Sequence, residues 1–336
     1  MGFTSPPPPP SPQETEAQCL ACTAGFYCPT AGLTSPPFDC SEGFFCPNGT
    51  VTPVLTCPRG QWCPVGSAAP QDCAPGTYQP DEGSSACLDC PASFYCTLAT
   101  VDPEPCPQGH VCPNNTRFGT EFPCPASTFS NATHLATTEE CLPCPPGQYC
   151  FDDGLVAPTG PCSAGHYCLG GARVPTPTEG FDAGYVCSID VDGCGANVTT
   201  PTTGDICPPG HYCVEGSQAP QPCPPGTFMP AYAAEHLTSC LACSPGYVCP
   251  SEGTTSPTQL CDAGFYCPGG DPTPTLVCPE GHACPQGSPS PEPCPPGMYQ
   301  FGPQAEECLA CPPGLVCAGN ATVTPDVCPP GLWCGG

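Results

Sequence analysis

The chain has 336 residues, 37 of them cysteine, with 57 prolines, 39 glycines and a formal net charge of −27. Its only basic residues are Arg59, Arg117 and Arg173, against 30 Asp+Glu, so it lacks the cations that release counterions from nucleic-acid phosphate, and it is repelled by anionic membrane surfaces. Cysteine at 37/336, about 11%, marks a disulfide scaffold of an oxidising compartment, while Leu, Ile, Val and Phe together fall below the roughly 20% that an ordinary core needs. Isoleucine occurs only at Ile189 and Ile206.

In chain order, residues 1–18 are a Pro-rich segment. Ser5, Pro6, Pro7, Pro8, Pro9, Pro10, Ser11 and Pro12 read as polyproline II, which has no internal hydrogen bonds and needs none. No apolar h-region follows Met1, so either secretion is expected to rest on a segment outside this sequence or the start residue is arbitrary. No run of 18 apolar residues occurs.

From Cys19 onward a short unit recurs: cysteine, five residues, cysteine. It appears at Cys22–Cys28, Cys40–Cys46, Cys57–Cys63, Cys90–Cys96, Cys106–Cys112, Cys144–Cys150 and Cys162–Cys168, then at Cys207–Cys213, Cys243–Cys249, Cys261–Cys267, Cys278–Cys284, Cys311–Cys317 and Cys328–Cys334. Cys-x-x-Cys pairs open longer blocks at Cys19, Cys87, Cys141, Cys240 and Cys308. The Cys19 and Cys240 blocks step identically, by 3, 6, 12, 6, 11, 6, 10 and 14 residues. The expected modules are 19–86, a short 87–140, a long 141–239 with an irregular insert at 175–206, 240–307, and 308–336 ending in mid-repeat. In the insert, Phe181 stands where a loop cysteine is due.

Disulfide geometry demands Cα atoms about 5.5 Å apart, so five intervening residues close only if the chain reverses. Pro presets φ and Gly accepts φ > 0, which supplies the turn. The residue before the second cysteine, such as Tyr212 or Tyr266, is the one sizeable apolar group of each unit and is expected to cover sulfur. If every short loop closes on itself, Cys73–Cys87, Cys124–Cys141, Cys223–Cys240 and Cys294–Cys308 close longer loops, and Cys187 pairs with Cys194, then eighteen bridges use all cysteines but Cys19. Cys19 is then unpaired or intermolecular. Schemes that bridge neighbouring units remain open to the same spacing.

The runs Cys73-Ala-Pro-Gly-Thr-Tyr…Cys87-Leu-Asp-Cys90 and Cys294-Pro-Pro-Gly-Met-Tyr…Cys308-Leu-Ala-Cys311 resemble ephrin-receptor-like cysteine-rich repeats and, more distantly, tumour-necrosis-factor-receptor modules. The resemblance spans residues 19–336. It implies the Cys73–Cys87 closure of the receptor modules, and it leaves function open, because such repeats serve receptors, adhesins and matrix proteins alike. The Ser5–Pro12 run is similar to the serine-polyproline motifs of extensins and other hydroxyproline-rich glycoproteins. That similarity implies hydroxylation and O-glycosylation of this run; an unmodified stiff linker is the other reading.

Five N-x-[ST] sequons occur, at Asn48, Asn114, Asn131, Asn197 and Asn320. All except Asn131 follow a loop-closing cysteine by two or three residues, which predicts glycans at equivalent positions of the repeat. Metal and catalytic signals are poor. The Cys-x-x-Cys pairs could ligate zinc, but in a sequon-bearing disulfide array they are read as half-cystines. His110, His166, His211 and His282 share a slot that also takes Phe, Gln, Tyr and Leu, so it is read as a packing or solvent position. Asp190-Val191-Asp192-Gly193 starts like a Ca²⁺ loop, but its twelfth position is Pro201 where Glu is needed. No nucleophile elbow, phosphate loop or thioredoxin-like pattern is present. Covalent glycan is expected, Ca²⁺ at Asp190–Gly193 stays a weak alternative, and no other cofactor and no enzyme activity are expected.

The expected fold is small and disulfide-rich: a linear tandem array of cysteine-rich modules with short β-hairpins and turns, little helix and no large core. The expected role is that of an extracellular structural glycoprotein that self-associates, or joins other matrix glycoproteins, in a filament, a mastigoneme-like flagellar hair or a cell-wall layer. The alternative is the cysteine-rich ectodomain of a receptor or adhesin binding a protein or glycan. Non-reducing peptide mapping should return only peptides linked within one unit; a Cys28–Cys40 linked peptide would overturn the local scheme.

Overall fold

Each cysteine that opens a unit is followed by a turn, and that turn fixes what comes next. The third residue after the cysteine has positive φ, as at Gly25 (88°), Gly60 (77°) and Gly264 (81°). Glycine takes this conformation without a Cβ penalty, and Ser93 (72°) and Ser127 (76°) adopt it in the same place. Two extended residues follow, such as Phe26–Tyr27, Gln61–Trp62 or Phe265–Tyr266, and then the closing cysteine. We call this element a rung.

The computed structural model describes residues 20–178 and 203–334. The proline tract, Cys19, Phe181, the Cys187/Cys194 pair, the Asp190–Gly193 stretch and Asn197 lie outside the described residues. Among the described residues there is no α-helix. Regular structure consists of two-stranded antiparallel hairpins and two single 3₁₀ turns, Thr138–Glu140 and Leu237–Ser239.

Every hairpin is built the same way. Its first strand is the extended pair of one rung, and its second strand is the pair just before the next rung's cysteine. Phe26–Tyr27 thus pairs with Phe38–Asp39, ahead of Cys40, and Tyr247–Val248 pairs with Gln259–Leu260, ahead of Cys261. Apart from the three-residue His166–Cys168 and Gly204–Ile206, these strands are two residues long, because a cysteine engaged in a turn follows most of them.

Backbone hydrogen bonds then tie each rung to its successor at a fixed set of atoms. Gly43 N–H donates to Cys63 O at 2.9 Å, Cys57 N–H donates to Gly43 O at 2.9 Å, and Gly83 N–H donates to Cys57 O at 2.8 Å. The same three bonds recur at the rung from Cys261: Gly264 N–H to Cys284 O (2.8 Å), Cys278 N–H to Gly264 O (2.9 Å) and Gln304 N–H to Cys278 O (2.8 Å). The positive-φ glycine also permits close approach: a Cβ at Gly25 would lie 2.6 Å from Gly66 O, and one at Gly226 would lie 2.6 Å from Gly270 O.

The chain divides into two compact units. One holds residues up to Pro125 with Phe129–Leu142 and Asp153–Ala157; the other holds Ala126–Thr128, Pro143–Asp152 and the chain from Pro158. In both, the interior is mostly sulfur. Apart from cysteine, the buried apolar side chains among the described residues are Val111, Leu135, Ala172, Ala234, Val248 and Ala283. There is no large core, and stability rests on closed loops and on the backbone ladder.

Four rungs have no second cysteine at the sixth position, where Gln79, Ser130, Met229 and Gln300 stand instead. Two of these rungs replace the short staple with a buried amide. Gln79, 4% exposed, donates from Nε2 to Ala86 O (2.8 Å) and accepts from Asp81 N–H at Oε1 (3.1 Å). Gln300, 8% exposed, donates likewise to Glu307 O (2.9 Å). Each amide spans the long loop that the Cys73–Cys87 or Cys294–Cys308 bridge closes.

The insert at 175–206 enters within one hairpin. His166–Cys168 pairs with Gly204–Ile206, immediately before Cys207, so the rung pattern resumes in register. Substituting Gln79→Ala should strand the Ala86 carbonyl and the Asp81 amide and cost about 1–3 kcal/mol. Limited proteolysis under non-reducing conditions should then cleave within residues 80–86 while Gln300→Ala leaves that loop intact.

Candidate functional site

The feature that repeats with chemistry attached is the turn after each rung. In Pro47-Asn48-Gly49-Thr50, Gly49 has φ of 82° and the Thr50 hydroxyl donates back to Pro47 O at 2.7 Å. Pro113-Asn114-Asn115-Thr116 repeats it, with Asn115 at 64° and Thr116 Oγ1 to Pro113 O at 2.6 Å. Gly319-Asn320-Ala321-Thr322 does so again, with Ala321 at 59° and Thr322 Oγ1 to Gly319 O at 2.9 Å. The same hydroxyl bond closes turns that carry no asparagine, at Ser67, Ser217 and Ser288. Those three serines and Thr116 are buried. The sequon hydroxyl is therefore a structural group of the ladder, and the exposed position two residues before it is Asn48, Asn114 or Asn320 in three turns and Val65, Glu215 or Gln286 in three others.

Asn48, Asn114, Asn131 and Asn320 are all exposed. Asn131 lies elsewhere, on the long loop of the Cys124 rung, with its carbonyl accepting from Gln108 Nε2 at 2.7 Å. The recurrence of one turn, visible in sequence only as Cys-x-x-x-[ST] or Cys-x-x-x-x-[ST], places the other three asparagines in equivalent local environments.

Seventeen disulfides join the 34 described cysteines. Each short loop closes on itself, and Cys73–Cys87, Cys124–Cys141, Cys223–Cys240 and Cys294–Cys308 close the longer ones. The two members of each described Cys-x-x-Cys pair enter different bridges: Cys87 joins Cys73 while Cys90 joins Cys96. Cα separations of 5.7–6.0 Å lie within the disulfide range.

In three rungs the residue before the closing cysteine covers sulfur, but of the next rung rather than its own. Tyr149 packs on Cys162 and Cys168, Val111 on Cys124 and Cys141, and Val248 on Cys261 and Cys267. The cause is the hairpin. Its first strand runs alongside the residues that lead into the next cysteine, so a side chain there reaches the following bridge.

The four repeat histidines occupy their shared slot without converging. His110, His211 and His282 place Nδ1 at 3.1, 3.1 and 2.9 Å from the carbonyl two residues earlier, while the buried Nδ1 of His166 has no partner. Cross-strand pairing sets two phenols above their ordinary range. Tyr95 hydrogen-bonds Glu104, which holds the phenol proton, and Tyr167 is raised by burial with Asp205 opposite adding to it. Arg117 pairs with Glu121 at 2.5 Å and holds that carboxyl below the usual range; Arg59 lies 3.8 Å from Asp102. With two of the three cations beside carboxylates, the exposed field is acidic. Among the described residues no three His, Cys, Asp or Glu side chains gather as a metal group. A shallow 250 Å³ depression is lined by Trp62, Ala74, Thr77, Ala86 and Cys87, none of which can titrate in this bonded state.

No protein-family model matches the chain, and no curated protein matches its sequence. What the structure itself carries is a disulfide-rich protein of hairpins and turns, with no described helix long and apolar enough to cross a membrane, of a kind that matures in an oxidising, extracellular compartment. Removing the cover over one bridge should expose it selectively. Tyr149→Ala should speed reduction of Cys162–Cys168 several-fold in differential alkylation, with Cys278–Cys284 unchanged as the internal reference.

Proposed function

We propose that this chain is a non-catalytic structural segment of an extracellular glycoprotein that forms or coats a filament, a flagellar hair or a cell-wall layer. The observation that supports it is the double locking of every rung. Each is closed covalently within itself or through a long-loop bridge, and each is hydrogen-bonded through backbone groups to the next. A short loop of this kind contributes about 2 kcal/mol through the entropy of the open chain. Extension under load then requires breaking ladder bonds in parallel rather than unravelling a core. An acidic, cation-poor surface keeps such material solvated and separated. The resemblance of the 1–18 segment to serine-polyproline glycoproteins points the same way, with that segment acting in packing between subunits.

A second reading, a receptor or adhesin ectodomain, draws on one observation. Leu241, Leu260, Leu276 and Leu309, on second strands of four of five successive hairpins of one compact unit (Glu292–Pro293 interrupts them), are 38–49% exposed. Negative-stain micrographs of the native material separate the two. Regular fibres with the proline tract protected from proteolysis are expected. Monodisperse particles with an accessible tract, captured by a soluble ligand, would favour the receptor reading.

A further inference from the structure

The sequon turns differ in one contact that glycosylation chemistry makes informative. Asn48 Oδ1 accepts from the Ala24 N–H at 2.8 Å, and Asn114 Oδ1 accepts from the Ala92 N–H at 2.8 Å. Ala24 and Ala92 hold the same place, two residues after the cysteine that opens the preceding rung. At the third turn that place belongs to Pro296, which has no N–H, so Asn320 has nothing there to accept from. Around this contact the backbone frame is the same in all three: Gly49 N–H to Cys22 O (2.8 Å), Asn115 N–H to Cys90 O (2.9 Å) and Ala321 N–H to Cys294 O (2.9 Å).

We propose that Asn48 and Asn114 are N-glycan attachment sites that also pin one rung to the next, with the two tasks divided between the two atoms of the amide. This rests on the glycoprotein reading above. In the transfer step, Nδ2 forms a bond to the anomeric carbon of an oligosaccharide. The bond from that carbon to the diphosphate of a polyprenyl-linked donor breaks, Nδ2 gives up one proton, and the lipid diphosphate leaves. Oδ1 takes no part, and once the rung folds it takes up the Ala24 or Ala92 amide as its donor. In the folded protein the sugar on Nδ2 therefore projects from an amide plane fixed by the ladder, on an exposed turn. At Asn320 the amide lacks this tether, so a glycan there is held only through its own torsions.

The folded turn also sets the order of events. The Thr116 side chain is 1% exposed and its hydroxyl is committed to Pro113 O at 2.6 Å, so a transferase cannot read this sequon hydroxyl once the rung has closed. Transfer at Asn114 precedes closure.

The test uses the full chain secreted from a glycosylating eukaryotic host. Site occupancy is read by mass spectrometry after enzymatic deglycosylation in ¹⁸O water, and amide hydrogen exchange is read at Ala24 and Ala92. Occupancy at Asn48 and Asn114 is expected, with Ala92 protection the same before and after enzymatic release of the sugar, which leaves Asp and so keeps the acceptor oxygen. Asn114→Ala should lower Ala92 protection about fivefold, the order of one net hydrogen bond, and Asn320→Ala should leave rung-to-rung protection near its turn unchanged. Should Asn114→Ala fail to fold, Asn48→Ala with exchange read at Ala24 tests the equivalent pin. Empty Asn48 and Asn114 beside an occupied Asn131, Asn197 or Asn320 would overturn these attachment sites alone, whereas secreted protein with no glycan at any site would overturn the glycoprotein reading as well. Occupied sites with Ala92 protection indifferent to Asn114→Ala would overturn the pin alone. Glycan transfer in vitro to Asn114 of the folded, aglycosyl protein, as fast as to the reduced chain, would overturn the order of events.

Discussion

Everything in this protein depends on the backbone being reversed within a few residues of each opening cysteine. The reversal brings a second cysteine within bonding distance or hands the closure to a longer loop, and it turns one residue into the positive-φ region. That residue then offers its N–H and C=O outward to the next rung. The close approach of the Gly66 and Gly270 carbonyls to Gly25 and Gly226 shows why glycine dominates the position: a Cβ would stand where the neighbouring carbonyl oxygen sits. Ser93 and Ser127 show that the conformation, rather than glycine itself, is what the ladder requires.

A protein so poor in aliphatic side chains has little hydrophobic driving force, and it compensates in two ways. Disulfides restrict the unfolded chain, and polar groups that would otherwise be stranded are assigned partners inside the repeat. The buried hydroxyls of Ser67, Thr116, Ser217 and Ser288 all return to a carbonyl three residues earlier, and the buried amides of Gln79 and Gln300 hold the long loops. Leaving any of these unpaired would cost more than the bond contributes, which is why the same solution recurs.

The functional consequence is a surface built from repeats, with chemistry at its turns rather than in a cleft. Because the turn already needs a hydroxyl, an asparagine two residues earlier is sufficient to create a sequon. Glycan positions can thus be gained or lost along the repeat by single substitutions that leave the ladder intact. Cross-rung packing has a parallel effect on the sulfurs: Tyr149, Val111 and Val248 each shield a bridge that is not their own, so chemical protection is shared between neighbours.

By itself the sequence determined the compartment, the repeat unit and the local character of the fold, because cysteine spacing, Pro-Gly turns and missing aliphatics act within a few residues. It could not separate loops closed within a unit from bridges between units, since spacing carries no direction in space. Only the tertiary structure decided which sulfurs Tyr149 covers, that the sixth-position glutamines stand in for a staple, and that the 175–206 insert lies inside one hairpin. It also decided that Asn48 and Asn114 accept from a preceding rung while Asn320 faces a proline. Each of these depends on which rung lies beside which, and that is set by backbone hydrogen bonds between residues about twenty positions apart.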